Sequence, residues 1–292
     1  MNQVVVTGSN GFVGRRLKEK LIELKYDVLE LNSSNGDVTS IETLRSFNFE
    51  KISHIFHLAA KTFVPESWTH PEEFYKVNSF GTLNILEICK EYNIDLTFIS
   101  SYIYGQPKTM PISESLAISP NNPYAHSKYI AEQLCEFYSR EFNVNISIIR
   151  PFNIYGIGQN KKFLIPHIID QALYSNEIKV KDLSPKRDYI YLEDIVDAIL
   201  LTINNKNKNY SVYNIGSGYS ISVRQVIEVV LEILNIEKKV ICEDGQRKNE
   251  MNDVVADITK ANRELNWYPK YSFLEGIKKI IDREISNKLL NI

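Results

Sequence analysis

Tyr124 and Lys128 are the residues of this sequence whose types and spacing most directly suggest chemistry. They stand four positions apart in Tyr124-Ala125-His126-Ser127-Lys128, and on a helix that spacing brings a phenol and an ammonium to one face. A neighbouring ammonium favours the phenolate, so we expect the pKa of the tyrosine to fall from about 10. Such a tyrosine can give a proton to a carbonyl oxygen or take one from a hydroxyl. The alternative is a surface tyrosine with an unrelated lysine, since this spacing often occurs by chance.

A serine is predicted to complete the group. Ser100 ends a predicted strand and precedes Ser101-Tyr102-Ile103-Tyr104-Gly105. Open α/β sheets bind their ligands at the carboxyl ends of the strands. A hydroxyl at this position could therefore hydrogen-bond the reacting oxygen.

Residues 8–14 form a glycine-rich turn, Gly8-Ser9-Asn10-Gly11-Phe12-Val13-Gly14, between a predicted strand and a predicted helix. Gly8 permits the tight turn, Gly11 lets a pyrophosphate approach the backbone, and Gly14 lets the helix pack on the strand. The N-terminus of the helix offers free N–H groups and a partial positive charge to the phosphates. The turn predicts a dinucleotide cofactor, although an ordinary strand-helix turn is the simpler alternative. With Tyr124 and Lys128 it predicts hydride transfer at a carbon that bears oxygen.

Strands and helices alternate along the chain and would position these residues. The predicted strands are residues 4–7, 28–31, 55–59, 96–100, 146–150, 188–191 and 212–215. The predicted helices are residues 14–25, 41–47, 72–92, 124–142, 163–174, 192–203, 223–234 and 274–284. Continuous apolar, β-branched strands that alternate with helices predict an α/β fold, a doubly wound parallel Rossmann sheet with a smaller C-terminal α+β substrate domain. Residues 1–155 with about 188–218 are expected to form the dinucleotide-binding domain, and about 156–187 with 219–292 the substrate domain.

Composition excludes several classes of protein. The chain has 292 residues, is 43% hydrophobic and carries a formal net charge of -2, which argues against nucleic acid or an anionic membrane as the main partner. No apolar run approaches the ~20 residues of a membrane span, and the first residues lack the pattern of a secretory signal. The three cysteines are far apart, so we expect no metal site, no disulfide and a cytoplasmic protein.

Taken together, the motifs resemble those of the extended short-chain dehydrogenase/reductases that act on nucleotide sugars. The resemblance covers nearly the whole chain. It implies Ser100, Tyr124 and Lys128 as the catalytic triad, Asn78 as a buttress of the catalytic region, and a homodimer through the helices at 72–92 and 124–142. The motifs that carry it are residues 7–14, 57–60, 78–82, 100–105, 124–128, 150–156 and 187–194.

Two sets of binding residues are expected from the motifs and the resemblance. Three of the expected substrate contacts have simpler alternatives. Arg247 lies in a charged loop and could be solvated there, Asn153 could cap a turn, and Arg187 could pair with Asp188 at the surface. The expected substrate contacts are Thr62, Phe63, Val64, Ser101, Tyr102, Asn153, Arg187 and Arg247. The expected cofactor contacts are Gly8, Asn10, Gly11, Phe12, Val13, Gly14, Asn32, Ser33, Asp37, Val38, Leu58, Ala59, Ala60, Tyr124, Lys128 and Pro151.

Positions 101 and 102 argue against two reactions of the family. The sugar dehydratases resemble one another in an Asp-Glu pair there, and the epimerase-reductases that make GDP-fucose carry a cysteine at the second position. This chain has Ser101 and Tyr102. Elimination of water and carbanion chemistry at two carbons would therefore lack their usual groups.

Two segments resemble the 4-ketoreductases of deoxysugar pathways. The segment after the second strand, residues 31–38, is short, so a strand-helix unit that the 4-epimerases and dehydratases contain is expected to be missing here. Residues 57–68 closely resemble the loop that lies over the sugar in GDP-4-keto-6-deoxymannose reductases. Those reductases usually have an acidic residue where this chain has Tyr102-Ile103, which leaves the sugar configuration and the nucleotide open.

We therefore predict NAD(P)H-dependent reduction of a nucleotide-linked 4-keto-6-deoxysugar at C4, with a nucleotide-diphosphate sugar as the partner. The first alternative is a nucleotide-sugar 4-epimerase with tightly bound NAD, which would use the same triad. The second is a non-catalytic cofactor-binding protein. Measuring whether NAD(P)H is consumed in proportion to the product formed would separate the three hypotheses.

NADP(H) is the favoured cofactor, with NAD(H) as the alternative. NAD-selective turns usually carry Asp or Glu at the end of the second strand, bonded to the ribose 2′-hydroxyl. Asn32 holds that place here, followed by Ser33 and Ser34, and none of them repels a 2′-phosphate. Against this, the loop has no arginine, and Glu30, two residues earlier on the same face of the strand, could replace the missing acid.

Overall fold

The computed structural model describes residues 2–107, 109–205, 209–243 and 251–290. The strands, in chain order, are β1 (Gln3–Thr7), β2 (Asp27–Leu31), β3 (Ile52–His57), β4 (Asp95–Ile99), β5 (Ile146–Pro151), β6 (Asn153–Tyr155), β7 (Glu177–Val180), β8 (Lys186–Arg187), β9 (Tyr189–Tyr191), β10 (Tyr210–Ile215), β11 (Ile221–Ser222) and β12 (Lys239–Cys242). The helices are α1 (Phe12–Glu23), α2 (Ile41–Arg45), α3 (Val64–Ser67), α4 (Pro71–Phe74), α5 (Gly81–Tyr92), α6 (Pro123–Phe142), α7 (Leu164–Tyr174), α8 (Leu192–Leu201), α9 (Val223–Leu234), α10 (Thr259–Leu265) and α11 (Phe273–Leu290).

Within the described residues, six parallel strands form the central sheet in the order β2-β1-β3-β4-β5-β10. The order in which successive strands are added to the sheet reverses between β1 and β3, so the carboxyl ends of these two parallel strands flank a crevice where such sheets bind ligands. The fold class predicted from the sequence, a doubly wound parallel sheet, is confirmed.

Apolar clusters cover both faces of the sheet. One contains Leu96 with Ile88 of α5 and Cys135 of α6, and the other contains Val6 with Leu17 of α1 and Ile195 of α8. The strands are buried on both faces, which explains why they read as continuous apolar runs rather than as alternating ones.

A third cluster lies outside the sheet and holds α7, α9 and α11 together around residues such as Tyr155, Ile168, Val226 and Ile277. Short strand pairs surround it: β6 with β9, β8 with β11, and β7 with β12. The domain boundary predicted from the sequence stays a prediction. Trp267 and its neighbours Ala261 and Leu265, which that boundary assigns to the substrate domain, pack in the cluster on the sheet.

The helix predicted at residues 72–92 is continuous but not uniform. The α-helical turn of α4 passes into a π-helical stretch, Tyr75–Phe80, and then into α5. π-Helical turns are rare and often occur at functional sites. This one carries the fully buried Asn78.

The elements that the sequence did not predict are all short: β6, β7, β8, β11, β12, α3 and α10. Strands of two to four residues carry too little periodicity to be recognised, because their pairing depends on partners far along the chain. Among the described residues, no helix has the length and apolar character to cross a membrane, and no group of His, Cys, Asp and Glu could hold a metal ion. All three cysteines lie in the described residues, and none of them forms a disulfide.

Candidate active site

The glycine-rich turn joins β1 to α1 and leaves no room for side chains. Gly8 has a φ of 68°, and a Cβ there would lie 2.8 Å from the backbone nitrogen of Ala59. A Cβ on Gly14 would lie 2.2 Å from the carbonyl oxygen of Gly8. Both positions therefore require glycine, the first for conformation and contact, the second for contact alone. The turn exposes Asn10 and Gly11 beside the first turn of α1, which begins at Phe12.

Thr7 ties this turn to the end of β3. Its Oγ1 accepts hydrogen bonds from the backbone nitrogens of Leu58 and Ala59, both at 3.1 Å, and lies 2.7 Å from Nδ1 of His57. His57 Nε2 lies 3.0 Å from Oγ1 of Thr82. Burial, followed by the charge of Lys128, lowers the pKa of His57 to about 3, so the ring is neutral. No role for these linked side chains was predicted from the sequence, although Thr7 and His57 lie within two of its motifs.

The end of β2 holds its polar groups in a local network. The side-chain amide of Asn32 donates to Oγ of Ser9 at 3.4 Å, and its Oδ1 accepts from the nitrogen of Ser34 at 3.0 Å. Ser33 and Asp37 are exposed beside it, and Val38 is buried. The carboxylate of Glu30 lies 3.0 Å from Nζ of Lys18 on α1.

Tyr124 lies in the first turn of α6, where Oδ1 of Asn122 caps the helix by accepting from the nitrogen of Ala125 at 2.8 Å. The nearby hydroxyl of Ser101 favours the phenolate of Tyr124, and the Tyr124 ring packs edge-to-face on Phe74 with 6.4 Å between centroids. Burial raises the pKa of Tyr124 to about 12. The expected lowering is therefore wrong for this state of the protein, because burial disfavours the phenolate more than its surroundings favour it.

Lys128 lies one turn further along α6 and is 2% exposed. Its ammonium stands 4.4 Å from the centroid of the Phe98 ring. Burial lowers the pKa of Lys128 to about 7, and the charge of Glu132 opposes that shift. Ser100 is 3% exposed, and among the described residues its Oγ has no hydrogen-bond partner. A buried hydroxyl without a partner costs free energy. A ligand that brings a polar atom to the hydroxyl of Ser100 would remove that cost.

Asn78 links the loop after β3 to the catalytic helix. Its Oδ1 accepts from the nitrogen of Lys61 at 2.8 Å, and its Nδ2 donates to the carbonyl oxygen of Lys61 and to Oγ of Ser127. Ser127 precedes Lys128 on α6. The buried amide thus fixes the loop that begins at Ala60 against the segment that carries the phenol and the ammonium.

Aromatic rings line the side of the site where the substrate is expected. Tyr102 stacks on Phe152, with 5.3 Å between centroids and 21° between planes. Its hydroxyl donates to Oδ1 of Asn153 at 3.3 Å, and Nδ2 of Asn153 donates to the carbonyl oxygen of Asp188. Phe63 packs edge-to-face on Phe163 at 6.1 Å. Its neighbours Thr62, which is exposed, and Val64, which begins α3, complete the loop.

Arg187 lies at the end of β8 and directly precedes Asp188. Its Nη1 donates to the carbonyl oxygen of Met251 at 2.6 Å. The carboxylate of the adjacent Asp188 is buried and accepts from the backbone nitrogens of Ser217, Gly218 and Ala256, at 2.6, 3.0 and 3.0 Å. This carboxylate joins its own strand end to two remote segments, at residues 217–218 and at Ala256, and this was not predicted from the sequence. Arg247 lies outside the described residues.

The arrangement can move a proton and position an oxygen. Tyr124 and Ser101 form one hydroxyl pair, and Ser100 adds a third hydroxyl close by in the chain. The glycine-rich turn and residues 58–60 follow β1 and β3 at the crevice, and Pro151 ends β5, which is separated from β3 by β4. A flat, elongated ligand that carries phosphates fits such a cradle.

Comparison with known proteins agrees with this arrangement. Residues 4–216 match the family described as the NAD dependent epimerase/dehydratase family. A putative UDP-glucose 4-epimerase of Methanocaldococcus jannaschii is 32% identical over 96% of this chain and 97% of its own length. The GDP-6-deoxy-D-mannose reductase of Pseudomonas aeruginosa is 29% identical over 96% of each chain. The structure of RMD from Pseudomonas aeruginosa complexed with NADPH superimposes with a TM-score of 0.90 at 29% identity, over 98% of this chain and 100% of that one.

Proposed function

Because the chain belongs to the NAD dependent epimerase/dehydratase family, the extended short-chain dehydrogenase/reductases, we propose that it reduces a nucleotide-linked 4-keto-6-deoxysugar at C4. The nicotinamide cofactor, when bound, supplies the hydride. Gly8, Gly11 and Gly14 would hold its pyrophosphate at the N-terminus of α1, and Lys128 would bind the ribose of the nicotinamide. The cradle without Cβ atoms and the unpartnered hydroxyl of Ser100 support this fit.

The protein's own groups handle the oxygen at C4. Ser100 donates a hydrogen bond to it and fixes its position. Tyr124 delivers the proton as the carbonyl becomes an alcohol, and the nearby hydroxyl of Ser101 favours the deprotonated phenol. The ammonium of Lys128 stabilises the phenolate that remains.

The observation that carries the proposal is the chemistry of positions 101 and 102. The hydroxyl of Tyr102 is engaged by Asn153 and its ring by Phe152, and neither position offers a carboxylate. Chemistry at a second carbon of the sugar would need such a base. The site therefore favours hydride and proton transfer at one carbon, as reduction of a ketone requires.

The sugar side of the site supports reduction over epimerisation. Phe63, in the loop after β3, meets Phe163, which precedes α7. Their contact narrows the space beside the expected sugar. A 4-epimerase must turn its keto intermediate over between two hydride transfers, which needs more room than a single reduction.

The runner-up is a nucleotide-sugar 4-epimerase with tightly held NAD. The relative from Methanocaldococcus jannaschii favours it, and that protein is matched over 97% of its length. The short segment between residues 31 and 38 therefore does not separate a reductase from an epimerase. The triad would be the same in both.

One experiment separates the candidates. The purified protein is first denatured, and any released nicotinamide or sugar nucleotide is identified by mass spectrometry. Fresh protein is then incubated with GDP-, UDP- and dTDP-linked 4-keto-6-deoxysugars and with NADPH or NADH. We expect reduced cofactor to be consumed in proportion to the 6-deoxysugar formed. Conversion of a UDP-hexose into its C4 epimer with no net consumption of cofactor would establish the runner-up instead, and cofactor binding without any turnover would favour a binding protein.

Two further assignments belong to the proposal. NADPH is the preferred cofactor, and two observations support this. Asn32 carries an amide where NAD-selective turns carry a carboxylate, and the carboxylate of Glu30 is paired with Lys18. The protein is a homodimer through the helices at residues 72–92 and 124–142. Sedimentation of the purified protein tests the second point.

A further inference from the structure

A buried ion pair lies immediately behind the catalytic helix. Glu132 of α6 and Arg150 of β5 have side chains that are 3% and 4% exposed. Arg150 donates from Nε to Oε1 of Glu132 at 3.0 Å and from Nη2 to Oε2 at 2.5 Å. Its remaining terminal nitrogen, Nη1, donates to the hydroxyl of Tyr104 at 2.7 Å, and that hydroxyl donates to Oδ1 of Asn214. The guanidinium is therefore held on two sides.

The position of Glu132 on α6 also relates this ion pair to Lys128. Glu132 follows Lys128 by four residues, the spacing at which a carboxylate and an ammonium on one helix reach each other. Both side chains are buried, so their attraction would be stronger than at a surface. Yet the carboxylate of Glu132 faces Arg150, and the ammonium of Lys128 rests over Phe98.

We propose that Arg150 is a positioning residue that keeps Lys128 available for catalysis. By holding the carboxylate of Glu132 in a two-pronged pair, Arg150 prevents that carboxylate from capturing the ammonium one helical turn earlier. A planar guanidinium outcompetes an ammonium for a carboxylate because it makes two parallel hydrogen bonds. The inference rests on the proposed function, since it assigns Lys128 a part in hydride transfer.

Glu136, one turn beyond Glu132 on α6, is exposed to solvent, whereas the buried ionisable groups near Lys128 and Glu132 are held neutral by burial. On β3, burial lowers the pKa of His57 to about 3. On α6, burial raises the pKa of Cys135 well above its ordinary value and that of Tyr124 to about 12. Tyr104 and Tyr210, which face the pair from the other side, also have pKa values raised by burial. Of this pair, the charge of Glu132 raises the pKa of Lys128, and the guanidinium paired with that carboxylate should offset part of its effect.

This arrangement predicts pKa changes of opposite sign at Lys128. In Arg150→Met the carboxylate of Glu132 loses its partner and turns to Lys128, whose pKa should rise by about one to three pKa units. In Glu132→Gln the guanidinium is left uncompensated, and the pKa of Lys128 should fall. In the double variant the two charges vanish together, and the pKa of Lys128 should lie between those of the two single variants. A pair that only joins α6 to β5 would not produce opposite shifts.

The pKa is measured by NMR titration of protein labelled with ¹³C at the lysine ε-carbon, and Lys128→Met assigns the signal. Arg16→Met is the matched control, because Arg16 forms an equally two-pronged pair with Glu193, at 2.7 and 3.0 Å, between α1 and α8. It should leave the pKa of Lys128 unchanged. If Arg150→Met does not fold, Glu132→Gln and the double variant still have to show the predicted fall and recovery.

Turnover provides the second measurement. Arg150→Met should lose about tenfold or more in kcat because the ammonium is captured, and the double variant should regain most of it. Shifts of Lys128 in the same direction in both single variants, no shift in either, or a double variant that keeps the shift of Arg150→Met would overturn the proposal. The titration needs no substrate. Predicted pKa shifts in a protein that reduces no 4-keto sugar would therefore refute the proposed function and leave the electrostatic role of Arg150 standing.

Discussion

Two regions of the molecule build their binding surfaces by different means. The sheet region, which is the six-stranded sheet with the helices packed on it, shapes its crevice with backbone, as at Gly8 and Gly14. The strand-pair region, which contains β6 to β9 with β11 and β12, joins remote segments through side chains, as Asp188 does for Ser217 and Ala256. The first should be sensitive to added atoms and the second to removed polar groups.

The largest expected effect lies at Tyr124, in the first turn of α6. Tyr124→Phe should lower turnover by about 10²–10⁴ because it removes the proton donor but keeps the ring. Affinities for cofactor and sugar nucleotide, measured by calorimetry, should stay near those of the unsubstituted protein. Tyr75→Phe, which deletes a hydroxyl that meets His126 at 3.0 Å, is the control. Turnover of Tyr124→Phe within a few-fold of normal would remove this residue from the reaction.

An added methyl group should disable the sheet region. Gly14→Ala places a Cβ 2.2 Å from a carbonyl oxygen, so α1 must move away from the turn. We expect a loss of about 1–3 kcal/mol in stability and a larger loss of cofactor affinity, measured by thermal unfolding and fluorescence titration. Gly158→Ala is the control for backbone strain without a clash, because its φ of 84° disfavours alanine although no atom lies within 4 Å of the added Cβ, so it should lose stability but keep its cofactor affinity. Normal cofactor binding by Gly14→Ala would contradict the tight turn.

A removed charge should affect the strand-pair region. Arg187→Ala should weaken binding of the sugar nucleotide by about 1.5–3 kcal/mol, the cost of a lost charge-assisted hydrogen bond, and leave cofactor binding nearly unchanged. Steady-state kinetics with each ligand varied in turn measures this. Lys186→Ala, at the exposed neighbouring position, controls for general loss of positive charge. An unchanged KM and kcat in Arg187→Ala would exclude Arg187 from the site.

Cofactor affinity should depend on pH through Lys128. The pKa of Lys128 is about 7, so its ammonium is present below that pH and is lost above it. If the charged form binds the cofactor, affinity should fall as pH rises past 7, by up to about tenfold per pH unit. Calorimetry from pH 6 to 9 tests this, and Lys128→Met should show a flatter profile. An equally steep profile in Lys128→Met would place the titrating group elsewhere.

The smallest expected effect is the choice of cofactor. We expect a several-fold preference for NADPH in kcat/KM, because Glu30 is paired with Lys18 at 3.0 Å and does not repel a 2′-phosphate. Lys18→Met releases that carboxylate and should shift the preference towards NADH. A tenfold preference for NADH in the unsubstituted protein would make Glu30 the ribose-binding acid.

The same contrast explains what could be predicted from the sequence. The six strands of the sheet and the turn at Gly8 were predictable, since burial and backbone conformation leave local signals in residue type. The carboxylate of Asp188 was not, because its partners lie 29 to 68 residues away along the chain. Within the site, the spacing of Tyr124 and Lys128 was informative, but the effect of Ser101 on the hydroxyl of Tyr124 was not expected from the sequence. Adjacent serines cannot be told apart without coordinates.

The π-helical stretch at Tyr75–Phe80 has a consequence for insertions and deletions. Each residue of an α-helix turns the chain by about 100°, so one residue more or less rotates everything on one side of the stretch relative to the other. Deleting a residue here could restore regular winding, yet it would turn the ring of Phe74 away from Tyr124 or move Asn78 off the backbone of Lys61. The irregular stretch therefore sets the phase between two helical faces, and the length of this segment is constrained even where its side chains are not.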